Sequence, residues 1–431
     1  MTAIEEAQVT SLTLGNGMTL LVQPMPWLRT AAYSLWLPGG ITAEVDPNTL
    51  SVTEVPEQDP RAGLAALVCE MVQRGAGNFN SRELVAAEEN LGIDTGGSTS
   101  TSVVGFNGAM PSDSLLPSLD LLADLVRRPH LPLDQLDDAK MVLRQEMMAI
   151  NDEPTQRMMR ELKRRQFGPH LGRSGLVTPV SLDSLSINDV RSFYEAQYQP
   201  GDAILAIAGN IDERAVEEHC ENLFGDWPAK QTQRHETGTP IDGHCHLESP
   251  SSQTHLGLAF DCVAYGSPDY YTLRAGIGLL SDGMSSRLFD RVREQRGLCY
   301  TVSASCQTIG RSGAVFVYAG TKPERAQETL DVTVKEIREL ALDIQQDELD
   351  RWKVRCESSL IMEQESARSR TSSMASDQFR LGRVMPMSEL ESILGEITIG
   401  AIRDHWQQAF PKTLRSVVLG ESPLDFSNAY L

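Results

Sequence analysis

The sequence predicts an α+β protein built from two homologous α/β sandwich domains of roughly 210 residues each, joined by a linker. Three observations predict it. At 431 residues the chain is longer than one hydrophobic core of ordinary size supports. Stretches of alternating apolar residues give way to stretches of helical period, the pattern of sheets covered by helices. Two segments also recur in the same order. Asp134-Gln135-Leu136-Asp137-Asp138-Ala139-Lys140 returns 213 positions later as Asp347-Glu348-Leu349-Asp350-Arg351-Trp352-Lys353. Ser186-Ile187-Asn188-Asp189-Val190-Arg191-Ser192-Phe193-Tyr194 returns 212 positions later as Thr398-Ile399-Gly400-Ala401-Ile402-Arg403-Asp404-His405-Trp406. A period that long is far beyond a solenoid repeat, so each copy is a whole domain.

Leu12–Val22 reads as a hairpin, with Asn16-Gly17 as turn residues between alternating apolar positions. Ala31–Leu37 follows as a strand. Helices are expected at about Gly63–Gln73, Ser81–Leu91 and Leu115–Val126, with Ser81 as the N-cap of the second. Ile93–Met110 alternates and is rich in Ser, Thr and Val, as paired and partly exposed strands are. A long helical stretch from Leu136 to Phe167 returns through Ile187–Tyr198 to a strand at Ala203–Ala208. Gly108-Ala109-Met110-Pro111 leading into Leu115 corresponds to Ala319-Gly320-Thr321-Lys322-Pro323 leading into Leu330, in each copy a strand that ends as a helix begins. Trp227-Pro228 closes the first copy, and the polar stretch that follows lacks apolar periodicity. The expected division is therefore an N-terminal domain at 1–228, a linker at 229–245 and a C-terminal domain at 246–431.

Composition narrows the function. A net charge of −21 disfavours nucleic acid or an anionic membrane as partner, because both are bound through basic patches. No stretch is apolar over the length of a bilayer, and the start, Met-Thr-Ala-Ile-Glu-Glu, has no basic segment before an apolar run, so a cytoplasmic protein is expected. Seven scattered cysteines without paired spacing suit free thiols in a reducing compartment. No glycine-rich phosphate loop, Cys-x-x-Cys pair or Gly-x-Ser-x-Gly elbow occurs. His244-Cys245-His246 places two imidazoles on one face of a strand, open either to a metal or to the ordinary role of surface histidines. Ile41–Pro60 is acidic, carries Pro47, Pro56 and Pro60, and is expected to be an irregular loop.

The most informative segment is Gly63-Leu64-Ala65-Ala66-Leu67-Val68-Cys69-Glu70-Met71-Val72-Gln73-Arg74-Gly75. It resembles the Gly-Leu-Ala-His-x-x-Glu-His-Met helix of inverted-motif zinc peptidases, in which two imidazoles one turn apart hold the metal and the Glu between them polarises a water. Ala66, Cys69 and Glu70 stand at those three positions. Glu146, 76 residues beyond Glu70, falls where such peptidases carry a third ligand. Phe167-Gly168-Pro169-His170-Leu171-Gly172 and Leu223-Phe224-Gly225-Asp226-Trp227 match further motifs, the first with Leu171 where Pro is usual. The closest match is Gly283-Met284-Ser285-Ser286-Arg287-Leu288-Phe289 followed by Arg293-Glu294-Gln295-Arg296-Gly297-Leu298-Cys299-Tyr300. Along almost its whole length the chain resembles the M16 family, of the pitrilysin and mitochondrial processing peptidase kind and M16B type, and within it the subunits that lack the zinc motif.

That resemblance implies a duplicated LuxS/metallohydrolase-like fold forming one half of a clamshell. It implies no metal in this chain, with zinc carried by a homologous partner subunit that has an intact His-x-x-Glu-His. It also implies that Arg293 and Tyr300 reach a peptide substrate and support the partner's active site, the chain being inactive alone. Seven residues apart, a guanidinium and a phenol offer fixed donors to a developing oxyanion. The same two residues also read as a helix-surface charge beside Glu294 and the first residue of a strand at Tyr300–Ser305. Cys69, Glu70 and Glu146 likewise read as a small buried side chain, a solvated charge and a surface carboxylate. Three functions stay open on sequence: a substrate-binding subunit of a heterodimeric metallopeptidase, a catalytically inactive structural or peptide-binding homologue, and a hydrolase with an unorthodox metal site.

Overall fold

The computed structural model describes residues 8–45, 58–229, 238–409 and 414–427. Residues 46–57 of the expected 41–60 loop and 230–237 of the expected linker therefore lie outside the described residues. The chain opens with β1 (Thr10–Thr13) and β2 (Thr19–Pro24), paired antiparallel around Asn16, whose side chain accepts from Met18 N at 3.1 Å and donates to Phe224 O at 2.7 Å. Then follow β3 (Thr30–Pro38), α1 (Leu64–Val72), the small hairpin β4 (Gly75–Ala76) and β5 (Phe79–Asn80), and α2 (Ser81–Leu91). Next come β6 (Asp94–Thr99), β7 (Val103–Pro111), α3 (Leu115–Arg127), α4 (Leu136–Asn151) and α5 (Pro154–Leu171). The first copy ends with α6 (Pro179–Ser184), α7 (Ile187–Gln197), β8 (Ile204–Gly209) and α8 (Glu213–Phe224).

The second copy starts at β9 (His244–Glu248) and β10 (Thr254–Cys262), then α9 (Tyr270–Ser281), a π-helix at Leu288–Glu294, β11 (Cys299–Ile309) and β12 (Ser312–Thr321). It closes with α10 (Ala326–Glu339), α11 (Gln346–Glu363), α12 (Ala367–Leu381), α13 (Met387–Glu396), α14 (Ile399–Ala409) and β13 (Arg415–Gly420). Two expectations shift. Asn80 rather than Ser81 caps α2, since its side chain accepts from Arg82 N and Glu83 N while Glu83 reaches back to Asn80 N. The helical stretch from Leu136 breaks in two at Asp152-Glu153, because Pro154 has no N–H to continue α4 and instead starts α5.

The duplication extends to sheet topology. One sheet runs β1-β2-β8-β3-β7-β6 and the other β11-β12-β10-β13-β9. In each, one pair is parallel, β2 with β8 and β13 with β9, and the remaining neighbours are antiparallel. The repeated segment after Ser186 and Thr398 begins a helix in both copies, with Ser186 Oγ accepting from Asp189 N at 3.4 Å and Thr398 Oγ1 from Ala401 N at 3.1 Å.

The two compact units do not follow the line of the duplication. The first is made of 1–147, 174–235 and 360–387, the second of 148–173, 236–359 and 388–431. The cause is packing. In the first unit, Leu35, Leu37, Leu67, Met71, Leu119 and Val126 bury one face of the sheet, and the other face buries Leu21, Ile204 and Ala206 against Met374 and Ala375 of α12. In the second, Met158, Leu162, Phe167 and Leu171 of α5 pack on Ala259, Ala314, Phe316, Val417 and Leu419. On its opposite face Phe260 meets Trp406 edge-on at 6.4 Å. So α5 follows the strands of the first copy but belongs to the second unit, and α12 does the reverse. If α5 is the second unit's own layer, Met158→Ala should cost about 2–5 kcal/mol. Hydrogen exchange should then accelerate in β10 and β13 while β3 and β8 stay protected.

Candidate functional site

The altered helix lies in the first unit. Gly63 at its N-cap has no side chain to offer, and Glu44 supplies the cap from a short 3-10 turn at Ile41–Glu44, its Oε1 accepting from Ala65 N at 3.0 Å. Glu44 is fully buried, and a carboxylate at that end also meets the positive pole of the helix. Ala66 packs against the core with its methyl group. Cys69 is 4 % exposed, and burial, with the charge of Glu70 adding, pushes its thiol up to about 12. Its sulfur sits against β6 so closely that a Cβ on Gly97 would come within 3.0 Å of it. Glu70 pairs with Arg74 one turn on, at 2.8 Å. Glu146 is exposed on α4.

This donor set does not suit zinc. A methyl group stands where the first imidazole would ligate, a buried thiol where the water-polarising carboxylate would be, and Glu70, at the second imidazole position, already serves an arginine. Among the described residues no group of three or more His, Cys, Asp or Glu side chains is placed to hold a metal ion. His244 and His246 of β9 are engaged by protein: His244 Nδ1 is 2.7 Å from Ser416 Oγ with its ring stacked on Phe426 at 3.9 Å, and His246 Nε2 is 2.9 Å from Gly420 O.

Arg293 and Tyr300 lie together in the second unit. Arg293 sits at the end of the π-helix, where Gln295 N reaches Asp290 O at 2.8 Å, the five-residue bond of that wider helix. Gly297, at φ 58°, takes the left-handed turn that ends it and sends the chain into β11. The β11–β12 register slips between Cys299 and Thr301, so Tyr300 is the extra residue of a β-bulge and stands 80 % exposed. The guanidinium carbon of Arg293 lies 5.3 Å from the centre of the Tyr300 ring. Glu294 Oε1 approaches Arg293 Nε at 3.3 Å.

The segment is anchored from beneath. Arg287, 2 % exposed, donates to Glu348 Oε1 and Oε2 at 2.8 Å each and to Asp343 Oδ1 at 2.5 Å. Arg291 reaches Glu336 Oε2 at 2.8 Å. The guanidinium of Arg287 holds the Asp343 and Glu348 carboxyls below their usual range, against the opposing pull of desolvation. Sequence reasoning quoted Arg287 only as part of a motif and missed Glu44; the available signals were an arginine one step before an apolar pair, and an acidic residue placed after a Pro-Gly-Gly break. Among the described residues, no helix is long and apolar enough to cross a membrane. All seven cysteines are free.

These features define a duplicated α+β protein with the frame of a metallopeptidase helix and Ala66, Cys69 and Glu70 at its motif positions. The insulinase model of peptidase family M16 matches residues 54–178, and the model of the peptidase M16 inactive domain matches residues 184–354. The chain belongs to the M16 peptidase family. It is 25 % identical to an uncharacterised zinc protease of Bacillus subtilis, covering 95 % of this chain and 98 % of that protein. It is 23 % identical to an uncharacterised zinc protease of Rickettsia bellii, over 95 % and 97 %. Its fold is shared with a peptidase M16 inactive domain protein from Pseudomonas fluorescens, at TM-score 0.85 and 21 % identity over 97 % of this chain and 99 % of that one. It is also shared with a protease from Helicobacter pylori, at TM-score 0.83 and 17 % identity over 96 % and 99 %.

Two outcomes follow from the supports of this site. Glu44→Ala, which strips the cap from α1, should destabilise the protein by about 1–3 kcal/mol. Since Asp343 and Glu348 are more acidic folded than unfolded, their pairing with Arg287 contributes stability that is complete above the ordinary carboxylate range. It is lost as pH falls below about 4, so acid unfolding of Glu348→Gln should show a shallower dependence there than the parent.

Proposed function

We propose that this chain is the non-catalytic, substrate-binding subunit of a heterodimeric M16-type zinc metallopeptidase acting on peptides or precursor proteins in the cytoplasm. A homologous subunit with an intact His-x-x-Glu-His carries the zinc, and this chain contributes Arg293 and Tyr300 to the partner's active site. The observation that carries the reading is the contrast between the two candidate positions. At the motif positions the helix is well buried and capped but bears a methyl and an ion-paired carboxylate in place of the two imidazoles, and a buried thiol in place of the water-polarising Glu. At Arg293 and Tyr300 the family's pair of donors is kept side by side and open to solvent.

In this reading the chain's own residues bind and orient substrate. Tyr300, thrust out by the bulge, presents a phenolic donor beside the guanidinium, and two such donors fixed in advance stabilise charge on a carbonyl oxygen without reorganisation. The outer strand of the first sheet, β6, has no further strand beside it among the described residues, and an unpaired strand edge is the feature an extended peptide pairs with.

The chain should be co-expressed with a motif-bearing homologue and the complex assayed for mass, zinc and peptide turnover. One zinc per heterodimer is expected, none of it on this chain when purified alone. Arg293→Ala and Tyr300→Phe should each lower turnover by about tenfold or more without changing assembly or zinc content. Full activity in both variants would reduce this chain to a scaffold, and chelator-sensitive hydrolysis by the chain alone would favour an unorthodox metal site.

A further inference from the structure

The guanidinium of Arg293 lies over two aromatic rings. One is Tyr300 and the other is Phe289, whose ring centre lies 4.5 Å from the guanidinium carbon, nearer than Tyr300 at 5.3 Å. Phe289 lies four residues before Arg293 on the π-helix, and Leu288 and Val292 beside it point into the core. A cation over two aromatic faces is attracted to both. Glu294 Oε1 approaches Nε at 3.3 Å, and about a third of the Arg293 side chain, 35 %, stays exposed. Without Phe289, Arg293 would be a long and partly exposed side chain with several rotamers to choose from.

We infer that Phe289 is a positioning residue: it fixes the plane of the Arg293 guanidinium against Tyr300, so that the two donors converge on one place before substrate arrives. The Arg287 pairs with Asp343 and Glu348 keep the π-helix that carries Phe289 in register, which makes the stack a rigid feature of the free chain. The consequence for substrate rests on the proposed function, while the stack itself does not.

The free chain tests the stack. Phenylglyoxal modifies exposed guanidinium groups, and peptide mass spectrometry reads its rate at Arg293 against exposed Arg296 as internal control. Phe289→Ala should raise the Arg293 rate by about two- to fivefold, the factor a cation–π contact at a surface is worth, and Phe289→Tyr should restore it. An unchanged rate in Phe289→Ala, with an unfolding midpoint like the parent's, overturns the inference. In the heterodimer, Phe289→Ala should raise KM for peptide with a smaller change in kcat, and Phe289→Tyr should return both toward the parent. If Arg293→Ala lowers turnover while Phe289→Ala leaves it unchanged, the positioning role is refuted and the proposed function stands. If Arg293→Ala is silent, the proposed function fails, and the labelling result still decides whether Phe289 holds the arginine.

Discussion

Both units depend on one requirement: a mixed sheet that is apolar on two faces must be covered on both. In each, one face is served by helices near the strands in sequence, and the other by a helix from the opposite copy, α12 on β8 and β3, α5 on β10 and β13. These are corresponding elements on corresponding strands. Met374 and Ala375 close the first sheet as Met158 and Leu162 close the second. An isolated copy of the duplication would expose a sheet face and carry a helix with nothing to cover, so the two copies fold as one interlinked chain.

Much of this was legible in the residues. The hairpin at Asn16-Gly17, the strands near 31–37 and 93–110 and the helices after Ser186 and Thr398 follow from local chemistry, which the surroundings only reinforce. The exchange of α5 and α12 was not. Apolar periodicity tells which face of a helix is buried, and it carries no label for the sheet that buries it. The break at Pro154 is a single local signal set between strong helical patterns on either side.

The site divides in the same way. Spacing alone left Arg293 and Tyr300 open to an ordinary structural role and the family resemblance singled them out; the structure places the Arg293 guanidinium carbon 5.3 Å from the Tyr300 ring centre. What spacing could not give was the bulge that turns Tyr300 outward, or the wider π turn that lays Phe289 under the arginine, since both depend on hydrogen-bond register rather than residue identity. Ala66, Cys69 and Glu70 are the converse case. Their types alone said that the imidazoles were gone, while the burial of Cys69 and the Glu70–Arg74 pair show what those positions now do.

The cap from Glu44 separates two histories that are usually joined. The start of α1 is secured by a buried carboxylate from another segment and not by a side chain of the helix itself. Exchanging the side chain at position 66, 69 or 70 leaves that cap in place, so the start of the helix and the chemistry displayed along it can vary independently.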